Sequence, residues 1–293
     1  MKIVMPKAEI LPQMEPLKKV ELCARVSYKS ENRITDDSAE RFCRKLLELG
    51  HTSVFEHTRV MVPESVLPFG TFPSGPFPSG TKLPYGIESR IGYVCCATPA
   101  VRKSYDIELS RMFNGRDFIA LGGTLEQLKN LAESEDYMSV RFVCDRAIAN
   151  ELVRHRQMSF VGESTRYVNY KDGVEFILPV PFDWTAYSEV LSDVRPAAED
   201  PRYVDWKQAC AYAERSYIQM IRHGATPQEA RDVLPLSTKT EIIMTGMYKQ
   251  WADVLKLRLD KAAHPQMQYL MKLLVNLPEF PKDKIRVEDK LDD

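Results

Sequence analysis

The chain has 293 residues, 44% of them hydrophobic, and its 40 Lys plus Arg against 41 Asp plus Glu leave a formal charge of -1. This suits a soluble globular protein with a full core and speaks against a basic field for a nucleic-acid polymer. No run of about 18 apolar residues could span a bilayer, the start lacks the apolar stretch of a signal peptide, and six cysteines without a CxxC pair fit reduced thiols, so the cytoplasm is the expected location.

Ile3 to Met5 reads as a short strand and Leu17 to Tyr28 as a helix. A second helix begins at Asp36-Asp37-Ser38, carries Phe42, Leu46 and Leu47 on one face, and stops at Gly50. His51 to His57 is a polar cluster that feeds a strand over Thr58 to Val62. Pro63 to Gly86, rich in Pro, Gly and Ser, predicts a long loop or lid. Ile91 to Ala97 and Ser104 to Leu109 read as strands and Thr124 to Ala132 as a helix. Val140 to Val153 is expected to be a longer helix delivering Arg154 at its end.

Val174 to Leu178 is a further strand, and Tyr203 to His223 a long helix that Gly224 ends. Thr226-Pro227-Gln228-Glu229 spells a capping box with Pro at the first helical position, opening a short helix through to Leu234. Thr240 to Thr245 (strand), Lys249 to Leu259 and Pro265 to Leu274 (helices) complete the order before a charged tail, 282–293. The elements are mixed, with helices in the majority and no period of about 20 to 50 residues.

The densest chemistry is Arg154-His155-Arg156, followed after seven residues by Ser164 and then Thr165-Arg166-Tyr167. Guanidinium groups stay charged at any physiological pH, so they must be solvated, paired or set against anions. A bland account exists: cations suit a helix C-terminus, and Asp145, Glu151 and Glu163 could pair with them. Apolar Phe160, Val161, Tyr167 and Val168 argue against an ordinary wet surface and favour a nucleotide site. Neither GxGxxG nor GxxxxGK[ST] is present, so side chains would have to hold a phosphate. Arg231 and Arg258 could add to that charge or lie at the surface, and His51, Glu56 and His57 lack the HExxH spacing of a zinc helix. Ser164 has no GxSxG elbow around it and reads as a hydrogen-bonding ligand rather than a nucleophile.

These blocks resemble the flavin-dependent thymidylate synthases, whose signature of Arg-His-Arg, seven residues and Ser stands here as Arg154-His155-Arg156 and Ser164. The resemblance extends in order through Ala24-Arg25-Val26-Ser27, Gly50-His51 with Ser53 and Phe55-Glu56-His57, Ser164 to Tyr167, Ala230-Arg231 with Val233 to Leu236, and Leu257-Arg258 with Ala263 to Gln266. It implies an α+β fold, a mixed sheet with flanking helices, in one domain over 1–293 with an insertion at about 63–139. It also implies reductive methylation of dUMP, with methylenetetrahydrofolate as carbon donor, FAD as hydride carrier and NADPH as reductant.

By the same resemblance Arg258 lies against the pyrimidine as the catalytic residue. Glu151, Arg154, Glu163, Ser164, Thr165, Arg166 and Arg231 contact dUMP, and His51, Ser53, Arg154, His155 and Arg156 contact FAD. A homotetramer with shared active sites is expected. Gly162 stands where the family usually has Glu or Gln, and Met247 and Asp253 where it often has Asn, or Asn or His. These departures leave a non-catalytic nucleotide- or flavin-binding homologue as an alternative. A single-stranded nucleic-acid binder using the arginines with Phe160 and Tyr167 is a third reading, which the overall charge disfavours.

Overall fold

A computed structural model describes residues 1–61, 82–83, 87–90, 93–95, 112–120, 122–179 and 201–285, with side chains at 1–60, 114–120, 122–179 and 201–285. In chain order the strands are β1 (Lys2–Val4), β2 (Lys7–Ile10), β3 (Arg59–Met61), β4 (Lys82–Leu83), β5 (Ile87–Arg90), β6 (Tyr93–Cys95), β7 (Met112–Asn114), β8 (Tyr137–Asp145), β9 (Ser159–Gly162), β10 (Glu175–Ile177) and β11 (Lys239–Met247). The helices are α1 (Pro16–Val26), α2 (Ser38–Glu48), α3 (Gly115–Ala120), α4 (Leu125–Asn130), α5 (Arg146–Leu152), α6 (Pro201–Arg222), α7 (Pro227–Ala230), α8 (Tyr248–Arg258) and α9 (Pro265–Val275). The mixture of strands and helices is the α+β class expected, but the sheet is not mixed: the four-stranded sheet is antiparallel throughout, and the parallel pair β1-β10 forms a separate two-stranded sheet.

The centre is an antiparallel sheet in the order β2-β8-β11-β9. One face is apolar: Met138, Val140, Phe142 and Cys144 of β8 alternate inward with Ile242 and Met244 of β11 and pack on α5, α8 and α9. Trp251 of α8 is fully buried there and donates its indole N–H to the Met138 carbonyl at 3.0 Å. The other face carries Val161 and Ile243 against α1 and α2, but also a polar row. His57 Nδ1 lies 2.7 Å from Thr245 Oγ1, which lies 2.8 Å from Ser139 Oγ, all buried. A separate apolar cluster joins Val174 and Phe176 to Cys210, Tyr217 and Ala230 beneath α6 and α7.

The expected helix over Val140 to Val153 is a correction. Residues up to Asp145 form β8, and only Arg146–Leu152 is helical. The apolar residues 138, 140, 142 and 144 have the period of two of a half-buried strand. Asp145 is the boundary, since its Oδ1 accepts the Ile148 N–H at 2.7 Å and caps the helix. Its other oxygen accepts Gln266 Nε2 at 2.5 Å.

Elsewhere the expected elements stand close to their places. Gly50 and Gly224 follow α2 and α6 with φ of 73° and 92°, the left-handed geometry that ends a helix. The capping box at Thr226 forms both bonds, although α7 tightens after one turn into a 3₁₀ stretch, Arg231–Val233. Of the loop expected over Pro63 to Gly86, only Lys82–Leu83 is described, and it pairs as a strand. The strand expected over Ser104 to Leu109, and the charged tail beyond 285, lie outside the described residues. Cys23, Cys43, Cys144 and Cys210 are buried, unpaired thiols, and no helix of the described residues is long and apolar enough to cross a membrane.

Candidate functional site

Two constellations emerge from the central sheet. The first hangs from β8 and β11, whose antiparallel register sets α5 and α8 at opposite ends of one strand pair. Helix α5 buries Ile148 and Leu152 and leaves Glu151 half-buried. Helix α8 buries Trp251, Val254 and Leu255 and ends on Arg258, a cation at the negative end of a helix dipole. Each nitrogen of the Arg258 fork spends one N–H here, which leaves one N–H on each Nη. Nε donates to His155 Nε2 at 2.8 Å, Nη1 to Glu151 Oε2 at 2.9 Å, and Nη2 to the Glu151 carbonyl at 3.1 Å. His155 can accept because its ring is neutral: burial first, and the Arg258 charge second, push its pKa down to about 4.

Beside this triad the chain turns through Arg154 and Arg156, where a groove of about 360 Å³ opens. Its walls are Arg154, His155, Arg156, Gln157, Met158, Gln250, Asp253, Val254 and Leu257. Arg154 and Arg156 are exposed, and among the described residues neither makes an ion pair. The three carboxylates that the sequence offered as partners are engaged elsewhere, and Asp253, on the groove wall, makes no ion pair with either arginine. Glu151 holds Arg258, Asp145 caps α5, and Glu163 bonds Tyr170 Oη and Lys239 Nζ at 2.5 and 3.2 Å. Two free guanidinium groups on an apolar-backed groove suit a ligand with both phosphate and a flat ring.

The second constellation is the turn that follows β9. Ser164 N donates to the Ser27 carbonyl at 3.1 Å, and Ser164 Oγ accepts the Arg166 N–H at 3.3 Å. Arg166 Nε donates to Gln228 Oε1 at 3.0 Å, which ties this turn to α7 and the segment that bears Arg231. Tyr28 stacks on Tyr167 with centroids 4.6 Å apart, and the Arg166 guanidinium lies 5.5 Å from the Tyr167 ring. Thr165 is half-buried in the turn, and among the described residues the ion pair of Arg231 is with its neighbour Asp232, at 3.9 Å. Arg166 and Arg231 therefore keep most of their donor capacity.

Within one chain these parts are not all assembled. No hydrogen bond or ion pair among the described residues joins His51 or Ser53 to the groove, or Ser164 and Arg166 to Arg258. The Glu163 carboxylate is buried and bonded, so a ligand would meet that residue only through its backbone. His57 is a buried core histidine bonded to Thr245, and Glu56 pairs with Arg116 at 2.5 Å. Of the three departures, Asp253 lines the groove, Met247 stands at the N-cap position of α8 with its N–H donated to Gln250 Oε1 at 2.8 Å, and Gly162 sits opposite Ile242 in the sheet. Gln228 and Tyr28 were not legible as site neighbours; only their adjacency to Arg231 and Ser27 hinted at it.

The family model described as thymidylate synthase complementing protein matches residues 9–66 and 135–280. Over 129 residues the chain is 29% identical to the flavin-dependent thymidylate synthase of Mycobacterium tuberculosis (strain ATCC 25618 / H37Rv) and 32% identical to that of Corynebacterium aurimucosum. Each alignment covers 43% of this chain and 50% of the relative, so the chain spans about half the length of the curated relatives it matches. Among solved structures it is similar to a UMP/dUMP methylase PolB from Streptomyces cacaoi bound with 5-Br dUMP, at 20% identity and a TM-score of 0.41, over 93% of this chain and 89% of that one.

Proposed function

Because the chain belongs to the thymidylate synthase complementing protein family, we propose that it is a flavin-dependent thymidylate synthase that reductively methylates dUMP to dTMP. Methylenetetrahydrofolate would supply the carbon and NADPH the reducing equivalents. The observation that supports this most is the convergence of Glu151, His155 and Arg258 beside a groove edged by two unpaired arginines.

The residues divide by chemistry. Arg154, His155 and Arg156, with His51 and Ser53 from another subunit of a homotetramer, are the flavin-facing set. FAD, when bound, supplies the hydride chemistry. Ser164, Thr165, Arg166, Arg231 and the Glu163 backbone are the dUMP-facing set, each charge-assisted bond contributing about 1.5 to 3 kcal/mol. Arg154 and Glu151 serve the nucleotide as well.

Arg258 is the catalytic residue in this reading. A fixed guanidinium against the pyrimidine favours the ring ionised at N3 and stabilises negative charge as it develops. Glu151 and His155 hold the fork in a single orientation, so that no reorganisation is needed when charge appears.

A shared-site tetramer would explain why no bond among the described residues of one chain joins His51 or Ser53 to the groove. The two-part family match, 9–66 and 135–280, supports a single domain with an insertion at about 63–139. The nucleotide chemistry of this reading supports the cytoplasmic location expected from the sequence.

Purified protein should be yellow and should release tritium from 5-tritiated dUMP when NADPH and methylenetetrahydrofolate are supplied. A flavoprotein that binds dUMP without release would instead be the non-catalytic homologue, consistent with the departures at Gly162, Met247 and Asp253. Colourless protein that binds neither would defeat both.

A further inference from the structure

Behind the Ser164–Tyr167 turn lies a set of buried charges that the proposed chemistry does not use. Lys239 opens β11, and its ammonium is 2.6 Å from Glu241 Oε1, 3.2 Å from Glu163 Oε2 and 3.6 Å from Glu175 Oε2. Glu241 also holds Lys29 and Arg141. Burial alone would raise the Glu241 pKa, but hydrogen bonds from Lys239, Lys29 and Arg141 pull it down to about 2. Such a cluster is a poor source of net stability, because desolvation offsets most of the attraction. Its value is directional.

The backbone shows which direction. Glu163 N donates to the Glu241 carbonyl at 2.8 Å, and Ser164 N donates to the Ser27 carbonyl at 3.1 Å. Lys29, two residues after Ser27, has φ of 49°, a left-handed conformation that strains a non-glycine residue. Its ammonium is fastened to Glu241, and Tyr28 between them stacks on Tyr167. The backbone attachments of the turn, to β11 and to Ser27, therefore lead to segments whose side chains enter this cluster, while Arg166 is tied separately to Gln228 of α7.

We propose that Lys239 is a positioning residue for the anion-binding turn: it draws the Glu163 carboxylate inward and so presents Ser164 and Arg166 outward as one unit. The inference rests on the reading of Ser164 and Arg166 as phosphate ligands. Without the ammonium, Glu163 and Glu241 are buried carboxylates in mutual repulsion, and Glu163 is the one that can swing toward solvent. It would carry Ser164 with it and bring a negative charge toward the phosphate.

The test is calorimetric titration of the flavin-loaded protein with dUMP, alongside flavin absorbance and steady-state rates. Lys239→Met should weaken dUMP binding at least tenfold and raise its KM, with flavin content and kcat near wild type. Lys239→Met combined with Glu163→Gln should recover most of the lost affinity, which a merely structural role would not. A folded Lys239→Met protein with wild-type affinity, or a double variant as weak as the single, overturns the proposal.

If Lys239→Met alone does not fold, the double variant Lys239→Met with Glu163→Gln is read in its place: with no stranded carboxylate it should bind dUMP within a few-fold of wild type, and a loss of tenfold or more overturns the proposal. Wild-type protein that binds no dUMP defeats the phosphate reading itself, and the positioning role with it.

Discussion

Arg258 and His155 are joined by a 2.8 Å hydrogen bond in which the imidazole is the acceptor. The bond requires a neutral ring, and burial with the Arg258 charge keeps the His155 pKa at about 4. Both donor and acceptor are thus held in their working states through neutral pH. Arg258→Ala should lower tritium release from labelled dUMP by about 10²-fold or more, the scale of losing one preorganised donor at a reacting centre. Flavin absorbance should be retained. His155 should contribute no limb to the pH–rate profile between pH 5.5 and 8; a limb near 6.5 that vanishes in His155→Gln would contradict this.

Arg154 and Arg156 are exposed and without ion pairs among the described residues. Replacing either by Ala should change stability by no more than about 0.5 kcal/mol, as for a surface position without packing. Flavin affinity should fall by at least tenfold if each makes a charge-assisted contact to phosphate. Thermal melts and flavin retention after gel filtration separate the two effects, and a destabilised protein that keeps its flavin would reverse the assignment.

Gly162 is not demanded by packing. A Cβ there would lie 3.4 Å from the Glu241 carbonyl oxygen and 3.8 Å from the Ile242 side chain, ordinary contacts. Gly162→Gln should therefore fold, and should melt at the wild-type temperature or slightly above, since a strand glycine loses more chain entropy on folding than other residues. A drop of more than about 5 °C would show that the strand needs the glycine; in a chain of this size such a shift corresponds to roughly 2 kcal/mol or more.

Acid should destabilise the fold in two stages. His57 is buried and neutral, with burial driving its pKa to about 3. The unfolded chain takes up that proton first, so stability falls as pH drops below about 6.5, at about 1.4 kcal/mol per unit for one site. Glu241, held at about 2, is charged in the native state, and its contribution is lost only as pH falls below about 4.5. Urea midpoints at pH 7, 5.5 and 4 should decline progressively. His57→Gln should reduce the decline in both intervals, and more in the second, because the buried neutral ring goes on losing stability down to its native pKa of about 3.

Much of this was legible in the sequence where local chemistry decides the outcome. Thr226 and Glu229 formed the box that their spacing announced, and Gly50 and Gly224 closed their helices because few other residues adopt that φ. Val140 to Asp145 reads as the start of a helix because it is apolar where it packs on α5, α8 and α9, and it carries Arg141 on its other face. Its apolar content satisfied a helical period until Asp145 was seen to be the cap. The site was legible as residue types and order. The engagement of Glu163 with Lys239 and of Arg166 with Gln228 was not, because those partners are 76 and 62 residues away and only tertiary packing unites them.

The central pairing of β8 with β11 also sets an order of events during folding. Arg141 and Glu241 are 100 residues apart, and Glu151 and Arg258 are 107. Closing so long a loop is entropically costly before any contact rewards it, so this ladder forms slowly and late. During synthesis at about 5 to 20 residues per second, β8 must wait several seconds for its partner strand to emerge. Through that interval its apolar face is unpaired, and a nascent chain lacking the segment beyond Lys239 is the form most prone to aggregate.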